Sequence, residues 1–532
     1  MPHRLAHHPS AFVRQHAHHG VDWHVWSSEA LSRAQAEDKP LLVFLGHATG
    51  QACQHLRQAC WERPETAASM NAGFVNVLVD RASRPDLDGL FRDAHGVLQP
   101  NVPVGSAPQT VFCSARGLPF HSVVWPVTSG DVPALDDVLA TVAHGWRDQR
   151  EALLSQARAV RRWLMDKESV AAEHLAPELT LANLLRAARM QWIAAYDAQY
   201  GGFGGWPHQA HPTVLLTLLH LGQQGDDVAW DMARNSLRHM AQGALFDAAH
   251  GGFFHACELT GWRQPWPEKT LADNAMLTIV YAQACLVDDD PLWRSVIEAT
   301  VRFVLRDLRA TLCDAHSPPL RGGFCTAWAM DGASSVRDTH QSTALNALML
   351  RALAWGARAC QQPAWLHLAR ETLGHVCQTR LTPEDRLLAC SGQDGSLDDH
   401  AFLLEAVLTL HALDPRPGDL PLACTLADAL HTRFEDPVDG GFFFSPHDAP
   451  PLWHRAKPTV DRVTPSGNAS AVRGLAMLGR AQDWASVHRA EESLRSQMVL
   501  DPASHAALLL TTLSVTGVSQ RGSAQFACPT GA

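Results

Sequence analysis

At 532 residues the chain is too long for one ordinary hydrophobic core, which sets an expectation of about two to four domains. Its 46% hydrophobic and 18% charged residues are those of a globular protein rather than a disordered one, and a formal net charge of −11 argues against a nucleic-acid partner, since phosphate binding needs a surplus of Lys and Arg. No apolar run reaches the roughly 18 residues of a membrane span, so no membrane partner is expected.

In chain order, the first segment, MPHRLAHHPSAFVRQHAHHG, lacks the apolar stretch of a secretory signal. The histidines near the N-terminus (His3, His7, His8, His16, His18, His19 and His24) have no Cys or carboxylate at a recognised ligand spacing. Neither a metal nor another cofactor is expected. Ser28 caps a predicted helix from Glu29 to about Asp38, ended by Lys39-Pro40. Continuous apolar runs at 41–45, 74–80 and 109–113 read as strands, and 96–108 reads as a Pro/Gly-rich loop. Strands alternating with helices make residues 1–145 an α/β domain.

Beyond a helical link at 146–174, the pattern from 175 to 515 is helical throughout, with a tail at 516–532. Leu345, Leu348, Met349, Ala352 and Leu353 form one apolar stripe, and Leu277, Val280, Tyr281, Ala284 and Cys285 repeat its spacing. Gly-Gly-Phe recurs at 201–203, 251–253, 322–324 and 440–442, with Asp197, Asp247 and Asp436 four residues ahead of three copies. Paired glycines permit a tight left-handed turn after a helix. The length accommodates six helical hairpins, and a closed α/α barrel is the economical arrangement, with an open solenoid as the alternative. The twelve cysteines are scattered without a C-x-x-C, the usage of reduced thiols in a cytoplasm.

Several segments together resemble a known family. Arg4-Leu5, Gln15-His16-Ala17-His18 and Val21-Asp22-Trp23 open the chain; Asp80-Arg81 is followed by Arg84-Pro85-Asp86 and Asp88. Later come Glu268-Lys269, Leu271, Asp273-Asn274-Ala275, Leu397-Asp398-Asp399, Ala401-Phe402 and Pro465-Ser466-Gly467-Asn468. In this order they are similar to the two-domain family that includes spermatogenesis-associated protein 20, of which this chain is identified as a divergent bacterial-type member. The resemblance implies a thioredoxin-like domain followed by a six-hairpin (α/α)6 barrel of the glycosidase-like type. It also implies a C-x-x-C after the first strand, where this sequence reads Gly50-Gln51-Ala52-Cys53. The attacking thiol is therefore missing and no disulfide reductase activity is expected. Pro108 stands where the resemblance implies the cis-proline beside such a dithiol, on a surface suited to a protein partner. Ala329, His340, Leu345 and His400 depart from the family's residue types.

For the barrel, the resemblance suggests a carbohydrate ligand. Glycoside cleavage requires a proton-donating acid and a second carboxylate, for which Glu268, Asp398, Asp399 and Asp461 are the candidates, with Asp273 beside them. Trp206, Trp262, Trp266 and Trp453 lie near the glycine-rich loops as sugar-stacking candidates, with His400 as a further substrate contact. An epimerase-like reaction would use histidines instead, from among His208, His255, His340 and His400. Catalysis, a binding cleft without catalysis, and a structural network of capped and paired acids are the readings these residues allow. A non-catalytic scaffold or a redox-derived regulator is the corresponding alternative for the whole chain.

Overall fold

The computed structural model describes residues 5–102, 104–105, 107–125, 134–168, 180–310, 322–331, 334–390, 392–450, 452–499 and 501–519. His3, Arg4 and the tail from 520 onward lie outside them. The chain divides into two compact units, one within 1–169, 329–340 and 450–456, the other within 170–328, 341–449 and 457–532. No described helix is long and apolar enough to cross a membrane.

The first unit is built on a five-stranded sheet. Its strands are β1 (Trp23–Val25), β2 (Leu41–Gly46), β3 (Val75–Asp80), β4 (Gln109–Cys113) and β5 (Pro119–Val124), in the order β1-β3-β2-β4-β5. β1 and β2 run parallel to β3, while β4 is antiparallel to β2 and to β5. β2 and β3 are buried along their whole length, as continuous apolar runs covered on both faces require. The helices are α1 (Ala11–Gln15), α2 (Ser28–Ala36), α3 (Gln51–Leu56), α4 (Pro64–Gly73), α5 (Pro85–Leu98), α6 (Leu135–Asp148) and α7 (Arg150–Glu168). Ser27 rather than Ser28 caps α2, accepting from the Ala30 N–H. Residues 96–98 belong to α5 rather than to a loop. The helix read as a link, α7, packs in this unit through Ala157, Val160 and Leu164. β1 and β5 escape prediction because one has three residues and the other begins at a proline.

The second unit is a ring of hairpins. Its helices are α8 (Leu181–Ala195), α9 (Pro212–Gln223), α10 (Asp227–Gln242), α11 (Leu271–Cys285), α12 (Pro291–Phe303), α13 (Thr343–Cys360), α14 (Pro363–Arg380), α15 (Leu397–Leu413), α16 (Asp419–Ala429), α17 (Gly467–Leu478), α18 (Ala481–Met498) and α19 (Ala506–Ser519). α9, α11, α13, α15, α17 and α19 pack each on the next, and α19 returns to α9 and closes the ring. α10, α12, α14, α16, α18 and α8 cover them from outside. An inner helix faces both the axis and the outer ring, so α13 and α15 are buried nearly all round. The stripes read at 277 and 345 are thus parts of helices buried on most sides. Outer α10 keeps one buried stripe, Ala229, Met232, Ala233, Ser236, Leu237 and Met240.

The Gly-Gly-Phe turns explain why the ring closes with register. Asn274, Asn346 and Asn468, each in the first turn of an inner helix, accept from the N–H of Phe253, Phe324 and Phe442 at 2.8 Å and donate back to the same residue's carbonyl. Three of the four turns are therefore gathered at the end where inner helices begin. Asp197, Asp247 and Asp436 cap their own loops through backbone N–H groups. Gly251 and Gly440 have φ of 79° and 73°, and a Cβ there would lie 2.2 Å from the Ala299 carbonyl oxygen and 2.7 Å from that of Arg489. Only glycine fits the conformation and the approach. Lys269, fully buried, donates to Asp247 Oδ2 at 2.7 Å and to the Gly251 carbonyl, with Phe254 and Phe303 rings 4.6 Å away. Lys457 repeats this with Asp436 Oδ2 at 2.5 Å and the Gly440 carbonyl.

Candidate functional site

The end of the ring where inner helices start is rich in acids, and two of the predicted ones, Asp399 and Asp461, are engaged with backbone. Asp399 is the third residue of α15. Its Oδ2 accepts from the Ser396 N–H at 2.8 Å and the Ser396 hydroxyl at 2.7 Å, and its Oδ1 accepts from the Ala344 N–H at 2.8 Å. It caps its own helix and the neighbouring α13. Asp461 accepts from Ser466 N–H at 3.0 Å and Ala507 N–H at 2.7 Å, tying the starts of α17 and α19 together. Burial raises its pKa to about 7 against the lowering effect of those N–H donors.

Asp398 differs. Its Oδ1 is buried without a hydrogen-bond partner, and a Cβ on Gly467 would stand 2.2 Å from that oxygen. Burial, then the charge of Asp399, raises it to about 7, with Arg462 pulling the other way. Glu268 is half-buried in the short strand Glu268–Thr270, and its carbonyl accepts from the His255 N–H. The surroundings of the four predicted carboxylates thus differ from one another.

A second group is more open. The Cys257–Leu259 and Arg263–Pro265 strands form a hairpin, and His208 bridges to Cys257, which carries the 203–208 loop alongside it. This brings Trp206 and Trp266 to 6.4 Å between ring centroids at an interplanar angle of 67°. Both indole N–H groups donate to Glu258, Trp206 to Oε1 at 3.0 Å and Trp266 to Oε2 at 2.8 Å. Trp206 is nevertheless 53% exposed. The His255 ring lies 6.2 Å from Trp266, and its Nδ1 is 2.9 Å from Asp273 Oδ2. Asp273 also accepts from the Thr270 hydroxyl, so its carboxylate fixes the imidazole from the start of α11. Gln209 Nε2 lies 3.3 Å from His255 Nε2. Sequence reading missed Glu258 and Gln209, which belong to no repeat or motif.

The remaining candidates lie elsewhere. Trp262 is 1% exposed, its ring 4.0 Å from that of His208 at a tilt of 47° and its N–H on the Tyr200 carbonyl, so it is core rather than a sugar platform. Trp453 belongs to the first unit and packs on Ala94, Val160 and Leu164, away from any role as a barrel residue. His400 is buried against Phe434, its Nδ1 at the Ser396 carbonyl, and burial holds its pKa down to about 4. His340, also in the first unit, has its Nδ1 3.5 Å from the Ser83 hydroxyl.

In the first unit Gly50 is the N-cap of α3 and Cys53 is buried one turn in. An ideal Cβ on Gly50 would lie 3.1 Å from Cys53 Sγ and 3.0 Å from His47 Nε2. Cys60 sits on the π-turn Arg57–Trp61, and burial raises its pKa. Pro108 precedes β4 as expected, but among the described residues the cis peptide bond is Trp206–Pro207, which corrects the expectation of a cis bond at Pro108. Of the N-terminal histidines, His16 is buried among Phe12, Phe44 and Trp61, and burial takes its pKa down to about 3. Among the described residues no cluster of three or more His, Cys, Asp or Glu side chains could hold a metal ion.

Comparison with known proteins places these units. Residues 2–165 match the family model Thioredox_DsbH, described as a protein of unknown function, DUF255. Spermatogenesis-associated protein 20 of Homo sapiens is 29% identical over 337 residues, 60% of this chain and 42% of that protein. The chain thus spans less than half the length of the curated relatives it matches. A solved D-mannose isomerase aligns over 65% of this chain and 100% of its own, with a TM-score of 0.51 and 12% identity. A sugar epimerase from a ruminal bacterium aligns over 64% and 99%, with a TM-score of 0.50 and 12% identity. At such identities the likeness is one of fold. The chain is a thioredoxin-like α/β unit joined to a six-hairpin barrel.

Proposed function

We propose that the barrel takes a neutral saccharide against the Trp206–Trp266 pair, linking the protein to carbohydrate metabolism, and that the thioredoxin-like unit has no disulfide reductase activity. The observation that carries the first part is the shared anchoring of both indoles by Glu258, which locks two aromatic rings while Trp206 stays half exposed. Large aromatic faces with their polar handles already engaged favour an amphipathic ligand with apolar C–H faces. The second reading, an enzyme, rests on the His255–Asp273 pair. A histidine held through Nδ1 by a carboxylate is an arrangement suited to proton transfer at a sugar carbon, and Gln209 Nε2 lies 3.3 Å from its Nε2. Hydrolysis is less favoured, because Asp399 and Asp461 hold helix starts together.

Calorimetry of the full chain against mono- and disaccharides is expected to find binding that Trp266→Ala weakens at least tenfold, corresponding to about 1.4 kcal/mol. Product formation abolished by His255→Asn with binding retained would identify the enzyme. Binding without product would leave a recognition module. An absence of binding to every saccharide in the panel would sink the reading and return the barrel to a scaffold.

For the α/β unit, the support is Gly50 in the attacking position of a dithiol. Insulin reduction by the protein is expected at background. Across a disulfide, the Cβ of one cysteine lies about 3 Å from the sulfur of the other, as an S–S bond near 2.05 Å implies. The 3.1 Å between the ideal Gly50 Cβ and Cys53 Sγ matches it. Gly50→Cys is accordingly expected to form a disulfide with Cys53, read by mass spectrometry after thiol alkylation. Reductase turnover by the unmodified chain would overturn the proposal. We assign the protein to the cytoplasm, supported by the unbridged state of its ten described cysteines, and the α3 surface to a protein partner.

A further inference from the structure

A second polar site lies inside the ring, near the middle of α13 and α15. Arg351 and Glu405 project from these helices, 5% and 2% exposed, with Arg351 Nη1 2.7 Å from Glu405 Oε2. Arg473 of α17 reaches the same oxygen only at 3.9 Å, and its side chain is 37% exposed. These side chains, with Ser470, Thr213 and Thr511, line a cavity of about 20 Å³. Room for one water takes roughly 10–15 Å³ on that measure, so a sugar ring is excluded.

Two features set this cavity apart from a solvent pocket. Two guanidiniums face one carboxylate, so the lining carries one positive charge in excess, that of the partly exposed Arg473. Arg351 Nε, the Ser470 hydroxyl and Glu405 Oε2 are also buried without a hydrogen-bond partner, the first two able to donate, and all three belong to the cavity lining. The imbalance reaches His220 on α9, whose pKa is lowered by burial and then by the charge of Arg473. Glu405 disfavours an anion from one side and limits its charge to one.

We propose that this axial cavity is a binding site for a compact monovalent anion, either a free halide or the carboxylate of a small organic acid, held by Arg351 Nε, the Ser470 hydroxyl and the Arg473 guanidinium. The site is independent of the Trp206–Trp266 face and of what that face binds. Its occupant completes the charge balance of α13, α15 and α17, so anion binding stabilises the ring.

The test uses the full chain at constant ionic strength, replacing sodium gluconate, whose anion is too large for the cavity, by bromide or acetate. Either probe is expected to raise the melting temperature by several degrees at about millimolar affinity. Arg473→Gln and Ser470→Ala each remove a donor to a charged partner, and each is expected to weaken that affinity about tenfold. Ser470→Ala is the safeguard should Arg473→Gln disturb folding. Crystals soaked in bromide should show an anomalous peak beside Arg351 Nε if the halide is the ligand. A response to acetate without that peak assigns the site to carboxylates. Neither probe raising the melting temperature, or a rise undiminished in both variants, overturns the proposal.

Discussion

Replacing Lys269 by methionine is expected to destabilise the barrel by about 3–5 kcal/mol, the cost of leaving a largely buried carboxylate without its counter-charge. The ammonium is fully buried and bridges Asp247 Oδ2 and the Gly251 carbonyl. Burial lowers the pKa of Lys269 and the Asp247 carboxylate raises it, so the charged state depends on that partner. Methionine retains the apolar stem against Phe254 and Phe303 and removes only the charge, which separates electrostatics from packing. Adding Asp247→Asn should recover part of the loss, since the amide oxygen can still accept from the Ala249 and His250 N–H groups. Lys457→Met should behave alike, because Lys457 meets Asp436 and the Gly440 carbonyl in the same manner. The measurement is the urea midpoint of the barrel transition, followed by tryptophan fluorescence. A loss under about 1 kcal/mol would show that the pair is screened as a surface bridge is.

The second large effect is pH-dependent. His431 lies between two carboxylates, Nδ1 3.0 Å from Glu435 and Nε2 2.8 Å from Asp483. Burial opposes its protonation, but the hydrogen-bonded Asp483 and Glu435 outweigh burial and hold its pKa up to about 9. For both acids burial raises the pKa, while His431, helped by Arg480 at Asp483 and Arg489 at Glu435, lowers it further still. A raised histidine stabilises the fold fully below its unfolded pKa near 6.5 and loses that contribution as pH climbs through about 9. The lowered acids act in the opposite sense, contributing above their unfolded values and failing as pH falls beneath them. The network is therefore strongest between about pH 5 and 6.5. From pH 6.5 to 9.5 the protein should lose about 2–3 kcal/mol more than His431→Gln does, read from denaturant midpoints at each pH. Equal slopes for the two proteins would remove His431 from the account.

What the sequence determined by itself was the class of each half and the unit of repetition. Strands buried on both faces leave continuous apolar runs, and 41–45, 74–80 and 109–113 correspond to β2, β3 and β4. Paired glycines have a local cause, a left-handed turn, so Gly-Gly-Phe and the aspartate four residues ahead mark the turns of the ring without tertiary information. The stretch Gly50-Gln51-Ala52-Cys53 is likewise read locally. Tertiary structure decided the rest, because it depends on which segments meet. The asparagines that seat the Phe turns lie 21–26 residues away in sequence, and nothing in their neighbours says that they will. The capping of α13 by Asp399 appears only once Ala344, 55 residues distant, is brought up as its donor. Trp453 sits by sequence among barrel loops, yet it belongs to the first unit, where its apolar face packs on Ala94, Val160 and Leu164. Glu258 gains meaning only where the 203–208 loop and the 257–265 hairpin converge, since an acid acquires its role from the donors that the fold brings to it.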